Sequence, residues 1–113
     1  MTMQARIDDE LRDGRAIARV EGEIDASNVA WAGTRLRRLL TNRSHVLVVD
    51  LAATTYLDSA GIAMLFELAG DLRLHQQELR LVVAGSPIAR MLVLTGLDQA
   101  AAIHPTVDAA LQG

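Results

Sequence analysis

Apolar positions along this chain recur in two rhythms, every second residue or every third and fourth. Met3, Ala5 and Ile7 alternate with Gln4, Arg6 and Asp8, the period of a strand with one buried face. Asp13-Gly14 predicts a tight turn into a second run, Ala16 to Glu21, and hence an antiparallel pair. Gly22-Glu23-Ile24-Asp25 closes that run, and Asp8-Asp9-Glu10 reads as a solvated strand end. From about Ser27 to Leu40 the period changes to that of a helix, which Ser27 or Asp25 can cap. Val29, Ala32, Leu36, Leu39 and Leu40 share its inner face, with Arg35, Arg37 and Arg38 largely outside it. Trp31 lies off that stripe and is expected to be partly exposed.

Asn42-Arg43-Ser44 forms the loop into a third strand, His45 to Leu51. Its unbroken Val/Leu run predicts burial on both faces, as in the middle of a parallel sheet. Ala52 to Asp58 reads as a crossing loop anchored by Tyr56 and Leu57. A second helix starts at Ser59 or Ala60 and ends near Gln76. Ile62, Leu65, Phe66, Ala69 and Leu72 form one face; Glu67, Asp71 and His75 mark the opposite one. Met64 and Leu68 fall on the border, so the apolar arc is wider than a surface helix needs. That width is either extra core or a surface kept part-exposed for a partner.

Leu79 to Ala84 predicts the fourth strand. Ser86 and Pro87 make a helix start, Ile88, Met91, Leu92 and Thr95 its inner stripe, and Gly96 its end. Ala101-Ala102-Ile103 is a short last strand, and Pro105-Thr106 opens a small helix carrying Val107, Ala110 and Leu111. The pattern β-β-α-β-α-β-α-β-α predicts one α/β domain over 1–113. Its sheet is mixed, of about five strands, with an antiparallel first pair and right-handed crossovers.

Composition narrows the function. With 113 residues, 50% hydrophobic and 22% charged, the chain is one folded domain. Cysteine is absent, which excludes disulfides and thiolate metal sites and fits a reducing compartment. The net charge of -3, without a basic cluster, disfavours nucleic acid. No apolar run nears the ~20 residues of a membrane span. Met1 to Arg6 lacks the apolar core of a signal peptide, so a cytoplasmic location is expected. Every basic residue is arginine, and sites that need lysine are thereby excluded.

The candidate chemistry gathers at Leu57-Asp58-Ser59-Ala60-Gly61. A serine at a helix start can accept from free backbone N–H groups, a capping role worth about 1 kcal/mol. The same helix end tolerates a phosphate. As a hydrolase nucleophile Ser59 has half of the Gly-x-Ser-x-Gly elbow, because Leu57 holds the first position. His45, His75 and His104 show no triad spacing, although a triad can be assembled from distant residues. No histidine pair has metal-ligand spacing on a helix. Asp8, Asp9 and Asp50 suggest a receiver-type aspartyl-phosphate site, but the lysine such a site requires is missing.

The chain resembles the STAS domains of the anti-anti-sigma factor family, nearly end to end. Gly22-Glu23-Ile24-Asp25, Val48-Val49-Asp50-Leu51 and Tyr56-Leu57-Asp58-Ser59-Ala60-Gly61-Ile62 carry the resemblance. Leu94-Thr95-Gly96-Leu97 and Ile103 add to it. It implies a sheet with crossover helices mainly on one face, and a phosphorylated serine at Ser59 flanked by Asp25, Asp58 and Gly61. It further implies partner switching of the sporulation or stress-response type. The unphosphorylated protein binds an anti-sigma factor with GHKL-type serine kinase activity and frees a sigma factor, and a PP2C-type phosphatase restores the binder. The protein is then a ligand and substrate rather than an enzyme, without cofactor or metal, and a monomer when free. Ser59, Ala60, Ile62, Met64 and Leu68 are the expected contact surface. Two positions depart from the family pattern: Ala60 where Ser or Thr is common, and Thr54 where an apolar residue is usual. The competing readings are an accessory subunit of an ABC-type lipid transporter, a stressosome-type scaffold and a small serine hydrolase.

Overall fold

The computed structural model describes residues 4–40 and 44–112; Met3, Asn42 and Arg43 lie outside them. Strands β1 (Ala5–Arg12) and β2 (Arg15–Ile24) pair antiparallel from Ala5↔Gly22 to Arg12↔Arg15. The turn between them places Asp13 at φ 53° and Gly14 at φ 77°, the backbone the Asp-Gly pair predicts. Helix α1 (Val29–Arg37) leads to β3 (Val46–Asp50) and then to β4 (Thr54–Leu57). Helix α2 (Ser59–Leu74), β5 (Glu78–Val82) and α3 (Pro87–Leu94) follow. A 3-10 turn at Leu97–Gln99, β6 (Ala102–His104) and α4 (Val107–Leu111) complete the chain. The sheet runs β1-β2-β3-β5-β6, parallel after the first pair, with β3 central and fully buried from Val46 to Val49.

Six strands stand where about five were expected, because part of the Ala52–Asp58 loop is β4. A bend in β2 makes room for it. Residues 16–19 of β2 pair with β3, the register shifts between Gly22 and Glu23, and residues 22–24 pair with β4. Gly22 sits at φ 94°, donates to the Ala53 carbonyl at 3.1 Å, and would place a Cβ 2.1 Å from the Gln4 carbonyl oxygen. Only glycine fits there. Thr54 is buried in β4, and its hydroxyl donates to the Val20 carbonyl at 2.7 Å. That bond lets a polar side chain occupy the place of an apolar one.

Two apolar layers flank the sheet. The larger unites α1, α2 and α3 with Ala5, Ile7, Ala18, Leu47, Val49 and Leu81. The smaller lies on the opposite face, where Ala110, Val107 and Leu111 of α4 cover Ile17, Val46, Val48 and Val82. Alone, a five-residue helix is too short to persist in water. Arg80 holds it: the guanidinium donates from Nη1 to the carbonyls of Ala110 at 2.7 Å and Gln112 at 3.2 Å. Arg15 donates to the carbonyl of Leu111. The expected arrangement, helices mainly on one face, therefore holds with α4 as the exception.

Helix boundaries differ more than strand positions do. Helix α1 begins two residues later than expected, because residues 25–28 fold into a turn of their own. In α2 the expected faces are rotated. Met64 is 7% exposed and Leu68 0%, whereas Phe66 is 36% exposed. Helix α1 closes over the flank that carries Met64, with Gly33 close against the Met64 side chain. The wide apolar arc is core on two sides, against the sheet and against α1.

The Gly22→Ala variant is expected to lose more than about 1 kcal/mol of stability, since alanine is strained at positive φ and its Cβ meets Gln4. Gly70→Ala, inside α2 with open space around it, is expected to gain about 0.5–1 kcal/mol. Urea midpoints with unchanged slopes, moving in opposite directions, check both.

Candidate functional site

Strands β2 and β4 end side by side, with Ile24 registered against Leu57. Asp25 and Asp58 therefore leave adjacent strand ends at the same edge of the sheet. The Asp58 N–H donates to the Ile24 carbonyl at 3.3 Å. Ile24 and Leu57 are buried beneath, and Gly61 lets α2 descend onto them; a Cβ at Gly61 would lie 2.5 Å from Leu57 Cδ1.

Asp58 is the N-cap of α2. Its backbone is extended, its Oδ1 accepts from the Gly61 N–H at 3.0 Å, and its carbonyl accepts from the Ile62 N–H at 3.0 Å. The capping role expected for Ser59 thus belongs to its neighbour. Ser59 is the first helical residue, exposed, and its hydroxyl has no hydrogen bond to any described residue. Ala60 beside it is half-buried.

Asp25 does not cap α1 either. Its Oδ1 accepts from the Ser27 N–H at 2.9 Å and the Ser27 hydroxyl at 2.5 Å. The Ser27 hydroxyl, then the Ser27 N–H, hold the Asp25 carboxyl below the usual carboxylate range. The α1 N-cap position belongs to Asn28, whose side chain makes no cap bond. Its Oδ1 accepts from the Asp25 N–H at 3.0 Å and its Nδ2 donates to the Glu23 carbonyl at 2.8 Å. Sequence reasoning passed over Asn28, although asparagine just before a helical run is a capping signal.

The tip brings together Ser59, Ala60, Asp25, Asp58 and Gly61. It does not bring Ile62, Met64 and Leu68 to the surface: all three are buried, so they line the core and cannot form the contact surface expected of them. The exposed side chains of the first turns of α2 are Ser59, Ala63, Phe66 and Glu67. Tyr56, 48% exposed on β4, stands at the same edge.

Other chemistry is absent from this edge. The described residues hold no cluster of three or more His, Asp or Glu able to bind a metal. His45 and His75 line an open groove of about 460 Å³ with Arg37 and Asp71, at the far end of α2. A 16-residue helix is about 24 Å long, so His75 is far from Ser59. Among the described residues, no helix is long and apolar enough to cross a membrane.

A family model described as the STAS domain matches residues 6–110. The anti-sigma-F factor antagonist RsfB of Mycobacterium tuberculosis is 29% identical over 101 residues, covering 89% of this chain and 82% of that protein. The crystal structure of an anti-sigma factor antagonist from Mycobacterium paratuberculosis superposes with a TM-score of 0.85 at 29% identity, over 95% of this chain and 91% of that one. The Bacillus cell fate determinant SpoIIAA, in its phosphorylated form, superposes with a TM-score of 0.68 at 16% identity, over 92% of this chain and 96% of that one, a likeness of fold. With the mixed sheet, the capped helix and a family match from β1 to α4, the chain belongs to the STAS-domain family.

Proposed function

We propose that this chain is an anti-sigma factor antagonist switched by phosphorylation of Ser59. The observation that carries the reading is the division of labour at the tip of α2: Asp58 caps the helix, and the Ser59 hydroxyl is exposed and uncommitted. The relatives named as anti-sigma factor antagonists support it. The partner is an anti-sigma factor with GHKL-type serine kinase activity, acting in the cytoplasm, with a PP2C-type phosphatase to reverse the modification. The protein itself is ligand and substrate, not catalyst.

The contact surface is re-centred by burial. It comprises Ser59, Ala60 and the exposed neighbours Tyr56 and Ala63, in place of Ile62, Met64 and Leu68. Unphosphorylated, the serine itself presents only a neutral hydroxyl to a partner. Phosphorylated, it carries about -1.5 to -2 further charges beside the Asp58 and Asp25 carboxylates. The helix end offsets about 0.3–1 kcal/mol of that charge. A partner that covers the phosphate must strip its water, and a penalty of about 2.7 kcal/mol is already a 100-fold loss of affinity.

Ser59→Ala is expected to stay bound to the anti-sigma factor in the presence of ATP, and Ser59→Asp to bind at least about 10-fold more weakly, or about 1.4 kcal/mol. Titration calorimetry with the purified partner reads both, and equal affinities would sink the switch. Intact-mass measurement after incubation with ATP should show one phosphate on the wild type and none on Ser59→Ala. The Asp25 carboxyl supplies a pH test. Its folded value lies below its unfolded one, so the Ser27 bonds stabilise the loop above the ordinary carboxylate range. They are lost as pH falls through the folded value. Carboxyl carbon NMR shifts should show Asp25 titrating below an unfolded control, and Ser27→Ala should bring it back up.

A further inference from the structure

We infer that Asn28 is a positioning residue: its amide clamps the Glu23–Asp25 backbone against the cap of α2 and so sets the rate at which Ser59 is phosphorylated. The inference rests on the reading of Ser59 as the phosphate acceptor.

Asparagine at an N-cap position normally turns its side chain onto its own helix, a bond worth about 1 kcal/mol. Asn28 forgoes that bond. Its side chain points back along the chain and accepts from the Asp25 N–H at 3.0 Å while donating to the Glu23 carbonyl at 2.8 Å. Those two backbone groups need one acceptor and one donor at a fixed separation. A primary amide supplies both, whereas a carboxylate only accepts. The Asp25 carbonyl then accepts from the N–H groups of Asn28 at 3.2 Å and Val29 at 2.9 Å, and the Asp25 carboxylate is tied to Ser27. The turn that follows β2 is thus tied both to the end of the strand and to the start of α1.

The residue bracketed by the clamp is Ile24. Its carbonyl accepts the Asp58 N–H, and its side chain packs under Gly61, with Cγ2 3.2 Å from the Cβ that Gly61 lacks. A shift of residues 23–25 therefore reaches Asp58 and Ser59 through one hydrogen bond and one close contact. Phosphoryl transfer depends on positioning of the attacking hydroxyl in line with the phosphate. A misplacement of about 1 Å can cost about 100-fold in rate. The kinase must also read the surface beside the serine, where Asp25 leaves the strand end next to the one that Asp58 leaves.

The test replaces Asn28 by Asp, Ser and Ala in the full chain. Each purified protein is incubated with magnesium ATP and an extract of the cells that make it, and the initial rate of phosphate gain at Ser59 is read by intact mass and peptide mapping. Asp and Ser can each make the α1 cap bond that Asn28 forgoes, and Asp also favours the helix dipole, which offsets the lost clamp bonds, so neither should lower the thermal midpoint. Asp has no donor for the Glu23 carbonyl, and the single oxygen of Ser, one atom closer to the backbone, cannot reach both groups that Asn28 meets with two separate atoms. All three variants are expected to be phosphorylated about 10-fold or more slowly than wild type, with Asp and Ser keeping the wild-type melting temperature. If Asn28→Asp or Asn28→Ser is phosphorylated at the wild-type rate, the clamp does not position Ser59 and the inference is overturned. If the wild type itself gains no phosphate, the reading of Ser59 fails and takes the inference with it.

Discussion

A helix that begins at the edge of a sheet presents N–H groups without acceptors, and the side chain that answers them determines what the neighbouring residues are free to do. In α2 that side chain is the Asp58 carboxylate, bonded to the Gly61 N–H at 3.0 Å. Were Ser59 the cap, its hydroxyl oxygen would be an acceptor inside the helix end, and modifying it would cost the helix its start. With Asp58 in that role, Ser59 moves one position inward, where a side chain points out to solvent and the helix does not depend on it. Gly61 and the buried Ile24 and Leu57 then fix the height of the tip above the sheet.

Charge is distributed to match. The arginines answer acids along β1 and the flanks of the helices: Arg6 with Asp8, Arg19 with Glu10, Arg35 with Asp9, Arg37 with Asp71. Arg35 also reaches the Ile7 carbonyl, so the exposed edge of an eight-residue strand is guarded by charge and by a side-chain bond. The acidic run expected to be a solvated strand end is largely exposed, as expected, but lies within β1 and pairs with arginines. No ion pair between described residues involves Asp25 or Asp58, and the rim of the tip is acidic with Glu23 beside them.

Period and punctuation made most of this fold legible. Alternation placed Ala5 and Ile7 inward, the Val/Leu run put β3 at the centre, and Ser86-Pro87 marked the start of α3 as observed. What escaped depends on neighbours. Strand β4 is four residues long with only its ends buried, and it exists because Gly22 bends a distant strand toward it. The faces of α2 were misassigned because periodicity reports how wide an apolar arc is, not which elements close over it; α1 takes the flank where Met64 lies. At the site, Asp58, Ser59, Gly61 and Asp25 were legible as a motif. Which of Asp58 and Ser59 caps was not, since both residue types serve, and at the start of α1 Ser27 and Asp25 drew the cap assignment away from Asn28.

On the reading of Ser59 as acceptor, these constraints decide where the switching energy resides. Everything beneath the tip is packed: Ile62, Met64, Leu65 and Leu68 leave α2 no apolar surface to rearrange in the direction of the sheet or α1. The phosphate projects outward from a helix whose start is already satisfied, so the folded state has little to gain or lose by it. Rearrangement inside the domain would require breaking core contacts worth about 1.5–3 kcal/mol per large side chain, against a dipole interaction of about 0.3–1 kcal/mol. The smaller term cannot drive the larger. A modification here is therefore read by whatever protein covers it, through the water it must remove and the like charges it meets, while the domain that carries the phosphate stays as it was.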